Sequence, residues 1–193
     1  MTPEREMKMQ EVIKRRQFDL TVVLENVWDP HNISAVLRSC DAVGVQDVYI
    51  LSPVGKKESK LGKKSSASAS KWLTIHHFTD PEECFKELSK RHNRIYSSRI
   101  SADSKNLYEM DLCSSMALVF GNEKEGVSEK ALSLSDGSFV IPQVGMIQSL
   151  NISVACAVTL YECYRQRTIC DSYNGLIADT HRANLLAKWK SAR

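Results

Sequence analysis

Three short stretches hold the residues whose types and spacing could do chemistry. The first runs from Asn26 through Val27, Trp28, Asp29, Pro30 and His31 to Asn32, and on to Arg38. The second is Gly121-Asn-Glu-Lys-Glu-Gly126. The third runs from Ile141 and Pro142 to Ser149, Leu150, Asn151 and Ser153. Each lies between a short apolar run and a helical pattern. In parallel α/β sheets, ligands sit beyond the C-terminal strand ends, so turns of this kind are where a site belongs. The apolar run Ala117 to Phe120 stops abruptly at Gly121. The loop behind it carries Glu123 and Glu125 in a chain of net charge +3. Taken alone, that loop reads either as a surface turn or as the rim of a site.

Several familiar chemistries are missing from the pattern. No GxGxxG and no GxxxxGK[ST] occurs, which weakens a plain dinucleotide or phosphate-loop reading. No Ser-His-Asp or Cys-His grouping stands out among five scattered histidines, with His76 and His77 expected near a strand edge. Six cysteines (Cys40, Cys84, Cys113, Cys156, Cys163, Cys170) show neither a CxxC pair nor metal-type spacing to a histidine. No metal is expected, and all six read as reduced, structural thiols. Cys156, Cys163 and Cys170 recur every seven residues, as on one packing face of a helix. No apolar run reaches the roughly 18 residues of a membrane span. The charged N-terminus MTPEREMKMQEVIKRRQ has no apolar signal core. The expectation is a soluble, cytoplasmic protein.

The elements that must position those loops can be read from the same rows. The 193 residues, 42% hydrophobic and 25% charged, are enough for one domain with a sizeable core. A charged helix is expected over 4–17, and strands over 20–24, 47–51, 72–75, 94–98, 117–120 and 138–141. Asn32 is placed as the cap of a helix over 33–43 that stops at Gly44. Further helices are expected over 80–90, 128–135, 149–167 and 178–190, and a long loop over 55–71. Strands that are short apolar runs alternating with helices predict an α/β fold, a mostly parallel sheet with helices on both faces. The chain is expected to form a single domain over 1–193, with helical extensions over about 1–18 and 168–193.

Positive charge is unevenly placed. Residues 56–71 carry Lys56, Lys57, Lys60, Lys63, Lys64 and Lys71 against Glu58 alone. The N-terminal segment adds Lys8, Arg15 and Arg16, and the chain after residue 164 adds Arg165 and Arg167. Clustered cations suit a phosphate backbone, or simply a solvated surface.

Together the three loops closely resemble the motifs of the SpoU family, 2'-O-ribose RNA methyltransferases of the SPOUT superfamily. The first motif is matched by Asn32 and Arg38, the second by Gly121, Glu123 and Gly126. The third is matched by Ile141, Pro142, Ser149, Leu150 and Asn151; Gln143 stands where methionine is common. The flanks, with KWL after the lysine loop and YRQR at 164–167, are similar to the tRNA-modifying TrmH branch.

The resemblance implies a deep C-terminal trefoil knot, S-adenosylmethionine bound in it, and a homodimer that completes each site. It implies guanosine-18 in the tRNA D-loop as the target. Another tRNA position or ribosomal RNA is the nearest alternative, and a non-catalytic RNA-binding dimer a more distant one. The cofactor contacts it implies are Ser98, Phe120, Gly121, Gly126, Ile141, Met146 and Leu150. The catalytic set it implies is Arg38, Asn32, Glu123, Ser149 and Asn151. The family's proposals make the arginine a general base. A guanidinium hardly loses its proton in a protein, so a phosphate-binding, charge-stabilising Arg38 is the preferred expectation. Lys8, Arg15, Arg16, Lys63, Lys64, Lys71 and Arg165 are the expected RNA contacts.

Overall fold

The structure is a computed structural model that describes residues 2–52, 69–170 and 179–191. Its elements in chain order are α1 (Pro3–Lys14), β1 (Gln17–Glu25), α2 (Pro30–Val43), β2 (Val45–Leu51), β3 (Thr74–Phe78), α3 (Pro81–Arg91) and β4 (Arg94–Ser98). There follow β5 (Lys105–Asn106), a short 3-10 turn, β6 (Met116–Phe120), α4 (Glu129–Leu134), β7 (Gly137–Val140), α5 (Ile152–Ile169) and α6 (Asp179–Ser191). The strands form one sheet in the order β3-β2-β1-β6-β4-β7-β5, and every pairing is parallel. The expected α/β class is what the structure has, and His76 and His77 lie on its edge strand β3.

The apolar strand runs follow from burial on both faces. Successive side chains of a strand point to opposite sides. Leu118 and Phe120 of β6 therefore join Leu20, Leu24, Ile33, Leu37, Cys156 and Leu160 under α2 and α5. Ala117 and Val119 turn the other way, to Cys84, Phe85, Leu88 and Ala131 of α3 and α4. A third small cluster, Met9, Ile13, Leu185 and Trp189, packs α1 against α6.

Local boundaries depart from the sequence reading in ways that matter for the site. Asp29, not Asn32, caps α2: its carboxylate accepts from His31 N–H at 2.9 Å, and Pro30 takes the first helical turn. A proline cannot donate there and needs no partner, so Asp-Pro begins a helix where a loop was expected. Helix α5 starts at Ile152 with Asn151 as its cap, three residues later than expected, which leaves Ser149 in the preceding loop. Helix α1 ends at Lys14, and β1 begins at Gln17. Cys113 and Cys170, 57 residues apart, form a disulfide. The expectation of six thiols is thus corrected: Cys40, Cys84, Cys156 and Cys163 are free and buried. Lys63 and Lys64 lie outside the described residues. No helix among the described residues is long and apolar enough to cross a membrane.

Candidate active site

Strands β6, β4 and β7 are neighbours in the sheet, and the loops leaving their C-terminal ends enclose a cavity of about 520 Å³. Ser98 closes one side. The chain from Phe120 to Val127 forms a second wall, and Ile141, Ser149 and Leu150 a third. Ile152 and Ala155 of α5 also line it.

The 121–127 loop owes its shape to two glycines. A Cβ on Gly121 would meet the backbone of Gly126 at 2.0 Å, and Gly126 has φ +69. That left-handed conformation costs an ordinary residue of the order of 1 kcal/mol. Between them, Asn122 Oδ1 accepts from the N–H groups of Lys124 at 2.8 Å and Glu125 at 2.7 Å. The loop's exit is clamped by Glu25, the last residue of β1 and only 2% exposed. Its carboxylate accepts from Ser128 N–H at 2.8 Å and Ser128 Oγ at 2.5 Å. The Ser128 hydroxyl oxygen in turn caps α4 by accepting from Ala131 N–H.

The first and third sequence stretches reach this loop through side chains. Because Asp29 does the capping, the side chain of Asn32 is released for tertiary contact. It donates to the Glu123 carboxylate and accepts from Asn151 Nδ2 at 3.1 Å. Asn151 Oδ1 meanwhile holds Ser153 N–H at 2.9 Å at the start of α5. One string of hydrogen bonds thus ties the starts of two helices to the glycine loop. At the lip, Glu123, Glu125 and Glu129 outnumber Arg99 and Lys124, and Arg99 lies 3.5 Å from Glu129. An acidic lip on a chain of net positive charge favours a cationic ligand.

Of the expected cofactor contacts, Ser98, Phe120, Gly121, Gly126, Ile141 and Leu150 line the cavity, as do Glu123 and Ser149. Met146 does not. It is 99% exposed on the irregular segment 142–150, of which Gln143, Gln148, Ser149 and Leu150 line the cavity instead. Arg38 is also outside the cavity. Six residues place it about 120° around the helix from Asn32. There it is exposed, and no hydrogen bond or ion pair engages its side chain among the described residues. Among the expected RNA contacts, Lys8, Arg15 and Lys71 are exposed. Arg165 is exposed but makes two hydrogen bonds to Glu162. Arg16 is 2% exposed, donating to Val45 O and pairing with Asp41, so its assignment as a surface RNA contact is corrected to a buried tie from the residue before β1 to β2 and α2. The Glu25–Ser128 clamp joins residues 103 apart and has no motif in the sequence. A glutamate ending an apolar strand was its only signal.

The sequence model of the SpoU rRNA Methylase family matches residues 19–161. The tRNA (guanosine(18)-2'-O)-methyltransferase of Thermus thermophilus is 43% identical over 173 residues, 90% of this chain and 88% of that protein. The enzyme of the same name from Escherichia coli is 33% identical over 189 residues, 96% and 82% of the two chains. A crystal structure of the Aquifex aeolicus TrmH/SpoU tRNA modifying enzyme matches with a TM-score of 0.87 at 37% identity. That match covers 96% of this chain and 94% of that one.

Proposed function

Because the chain belongs to the SpoU methylase family, we propose that it methylates the 2'-hydroxyl of a ribose in tRNA, at guanosine-18 of the D-loop, with S-adenosylmethionine as donor. The observation that carries this reading is the convergence of Asn32, Glu123 and Asn151 on the glycine loop of one cavity.

The cavity suits that cofactor. Its volume falls in the range of small-molecule sites, and the Gly121–Gly126 contact keeps a bare backbone edge in its wall. Ile141 and Leu150 offer apolar surface for adenine, and the glutamates of the lip suit a sulfonium and an ammonium. When bound, the cofactor supplies an electrophilic methyl whose transfer quenches the sulfonium charge without a metal. The work left to the chain is chiefly alignment. Ser149 and Leu150 position the donor side. Asn32 and Asn151 hold Glu123 in place, so the loop keeps one shape as the acceptor arrives.

Arg38 binds the phosphate beside the target ribose with its planar guanidinium and stabilises negative charge developing on the attacking oxygen. It faces away from its own cavity, so it acts on the cavity of a second copy. The exposed apolar side chains of Val144, Met146, Ile147, Val154 and Tyr161 support such a pairing. A surface of this kind is commonly covered by a partner. The active species is then a homodimer. Lys8, Arg15 and Lys71 add phosphate contacts that weaken as salt rises.

The test is incubation of the protein with methyl-labelled cofactor and unmodified tRNA transcripts, followed by mapping of the labelled nucleotide. Label at the 2'-oxygen of guanosine-18 is the expected result. Label confined to ribosomal RNA or to another tRNA position would overturn the target, and absence of any transfer would overturn the chemistry.

A further inference from the structure

A second cavity, also of about 520 Å³, opens at the other end of the sheet. Arg16 immediately precedes β1, Asp41 lies near the end of α2, and Trp72 stands just before β3. The cavity therefore sits at the N-terminal strand ends, about 30 Å along the nine residues of β1 from the methyl-transfer loops. Its rim carries the exposed cations Arg5 and Lys8 of α1, and its wall the indoles of Trp72 and Trp189, with Met9 and Val12 beside them.

Three features define what fits there. The lining holds three cations and one carboxylate, and that carboxylate, Asp41, is already paired with Arg16. Donors exceed acceptors: Arg16 Nε and Trp189 Nε1 are buried and have no hydrogen-bond partner. Aromatic surface is ready-made, because Trp72 packs edge-on to Trp189 at 5.3 Å and is only partly buried. A group with a flat apolar face and an anionic, acceptor-rich end answers all three. We propose that this cavity binds one unpaired nucleotide of the RNA substrate, its base against Trp72 and Met9 and its phosphate on Arg5 and Lys8. Base–aromatic stacking and phosphate neutralisation are the two sources of affinity in single-stranded RNA sites. A membrane surface fits less well. The site is concave, and Trp189, only 2% exposed, cannot insert into lipid.

The inference rests on the reading of RNA as substrate, yet it is tested apart from methyl transfer. Binding of an unmodified tRNA transcript would be followed by fluorescence anisotropy over a salt series, for the wild-type chain and for Arg5→Ala/Lys8→Ala, Trp72→Ala and Trp72→Phe. Loss of two phosphate contacts should weaken binding at least tenfold and reduce the slope of log Kd against log salt by about 1.5. Trp72→Ala should weaken binding about tenfold with the slope unchanged, and Trp72→Phe should recover most of it. Cofactor affinity by calorimetry should be the same in all four proteins, which establishes that each is folded. Crosslinks from tRNA carrying 4-thiouridine should map to the peptides containing Trp72 or Met9. Unchanged affinity and slope in the double variant, crosslinks confined to other peptides, or binding of anionic vesicles in place of tRNA would each overturn the proposal. A protein that binds tRNA through this cavity but transfers no methyl group would leave it standing and remove the methyltransferase reading instead.

Discussion

Asn151 donates its side-chain amide to Asn32 Oδ1 at 3.1 Å, and the amide of Asn32 in turn meets the carboxylate of Glu123. Three chain segments are fixed to one another by this relay, so its members should not act independently. Asn32→Ala and Glu123→Ala should each lower kcat/KM, and the double variant should lose less than the sum. A coupling energy of about 1 kcal/mol or more is expected for contacting residues. Asn32→Asp should be worse than Asn32→Ala, because it sets a second carboxylate against Glu123. Single-turnover rates across the four variants measure this, and strict additivity would dissolve the relay.

Gly121 has no room for a side chain, since a Cβ would lie 2.0–2.2 Å from backbone atoms of Gly126 and Val127. Backbone cannot yield as a flexible side chain would. Gly121→Ala should therefore open the loop and raise the Kd for S-adenosylhomocysteine at least tenfold by calorimetry. Gly126→Ala, strained by its φ of +69 with space around it, should cost about 1 kcal/mol in urea unfolding.

The Glu25 clamp should show itself in both stability and binding. Removing a buried acceptor leaves Ser128 N–H and Oγ without their partner, which costs about 1–3 kcal/mol. Glu25→Ala should lower the urea midpoint and raise the cofactor Kd, while Ser128→Thr, which keeps the hydroxyl, should preserve both. Normal cofactor affinity in Glu25→Ala would show that β1 does not hold the loop.

Much of this was legible in the sequence, for identifiable reasons. Strands buried on both faces read as apolar runs, which made β1, β2 and β6 visible. The glycines of the 121–126 loop and the Asn32, Ser149 and Asn151 spacings carried the motif resemblance. What stayed hidden depended on tertiary neighbours. Asp29 and Asn32 are both good caps by type, and only Pro30 in the first helical turn separates them. Arg16 looks like any surface cation, yet α2 and β2 bury it. Glu25 becomes a clamp only when β6 lies beside β1 and brings Ser128 within reach. Cys113 and Cys170 are far apart in the chain, so no local pattern announces their bond.

Arg38 should be separable from the cavity by mixing subunits. Arg38→Ala should reduce turnover about 10²- to 10³-fold, the usual range for losing a charge-stabilising donor, without changing cofactor affinity. Arg38→Lys should recover little, since a point charge lacks the guanidinium fork. If Arg38 serves the partner's cavity, heterodimers of Arg38→Ala with Gly121→Ala contain one site with both defects and one with none. Mixing two inactive proteins should then restore activity, up to half the wild-type value per heterodimer. No restoration, with subunit exchange verified, would place Arg38 in its own subunit's reaction or outside it.

His92 gives the fold a pH dependence of known sign. It is 5% exposed, with Nε2 at 2.8 Å from Thr21 Oγ1 and Nδ1 at 3.2 Å from Ser115 Oγ. Burial first, and then the neighbouring Arg91 guanidinium, bring its pKa down to about 4 from 6.5, against weaker opposing effects of Asp19 and Asp47. Between those values the unfolded chain binds a proton that the folded chain refuses, so stability rises with pH across the window. The full contribution is present above pH 6.5 and is lost as pH falls toward 4. At about 1.36 kcal/mol per pKa unit the whole span is about 3 kcal/mol, most of it lost by about pH 4.5. His92→Gln keeps a polar partner for the two hydroxyls but cannot titrate. Other acidic groups change stability in both proteins alike, so the measurement is the difference between them. Urea unfolding at about pH 7.5 and about pH 4.5 should show the wild type losing about 2 to 3 kcal/mol more than the variant. Parallel losses would mean that His92 charges as readily in the folded protein as in the unfolded chain, and that its burial does not govern acid stability.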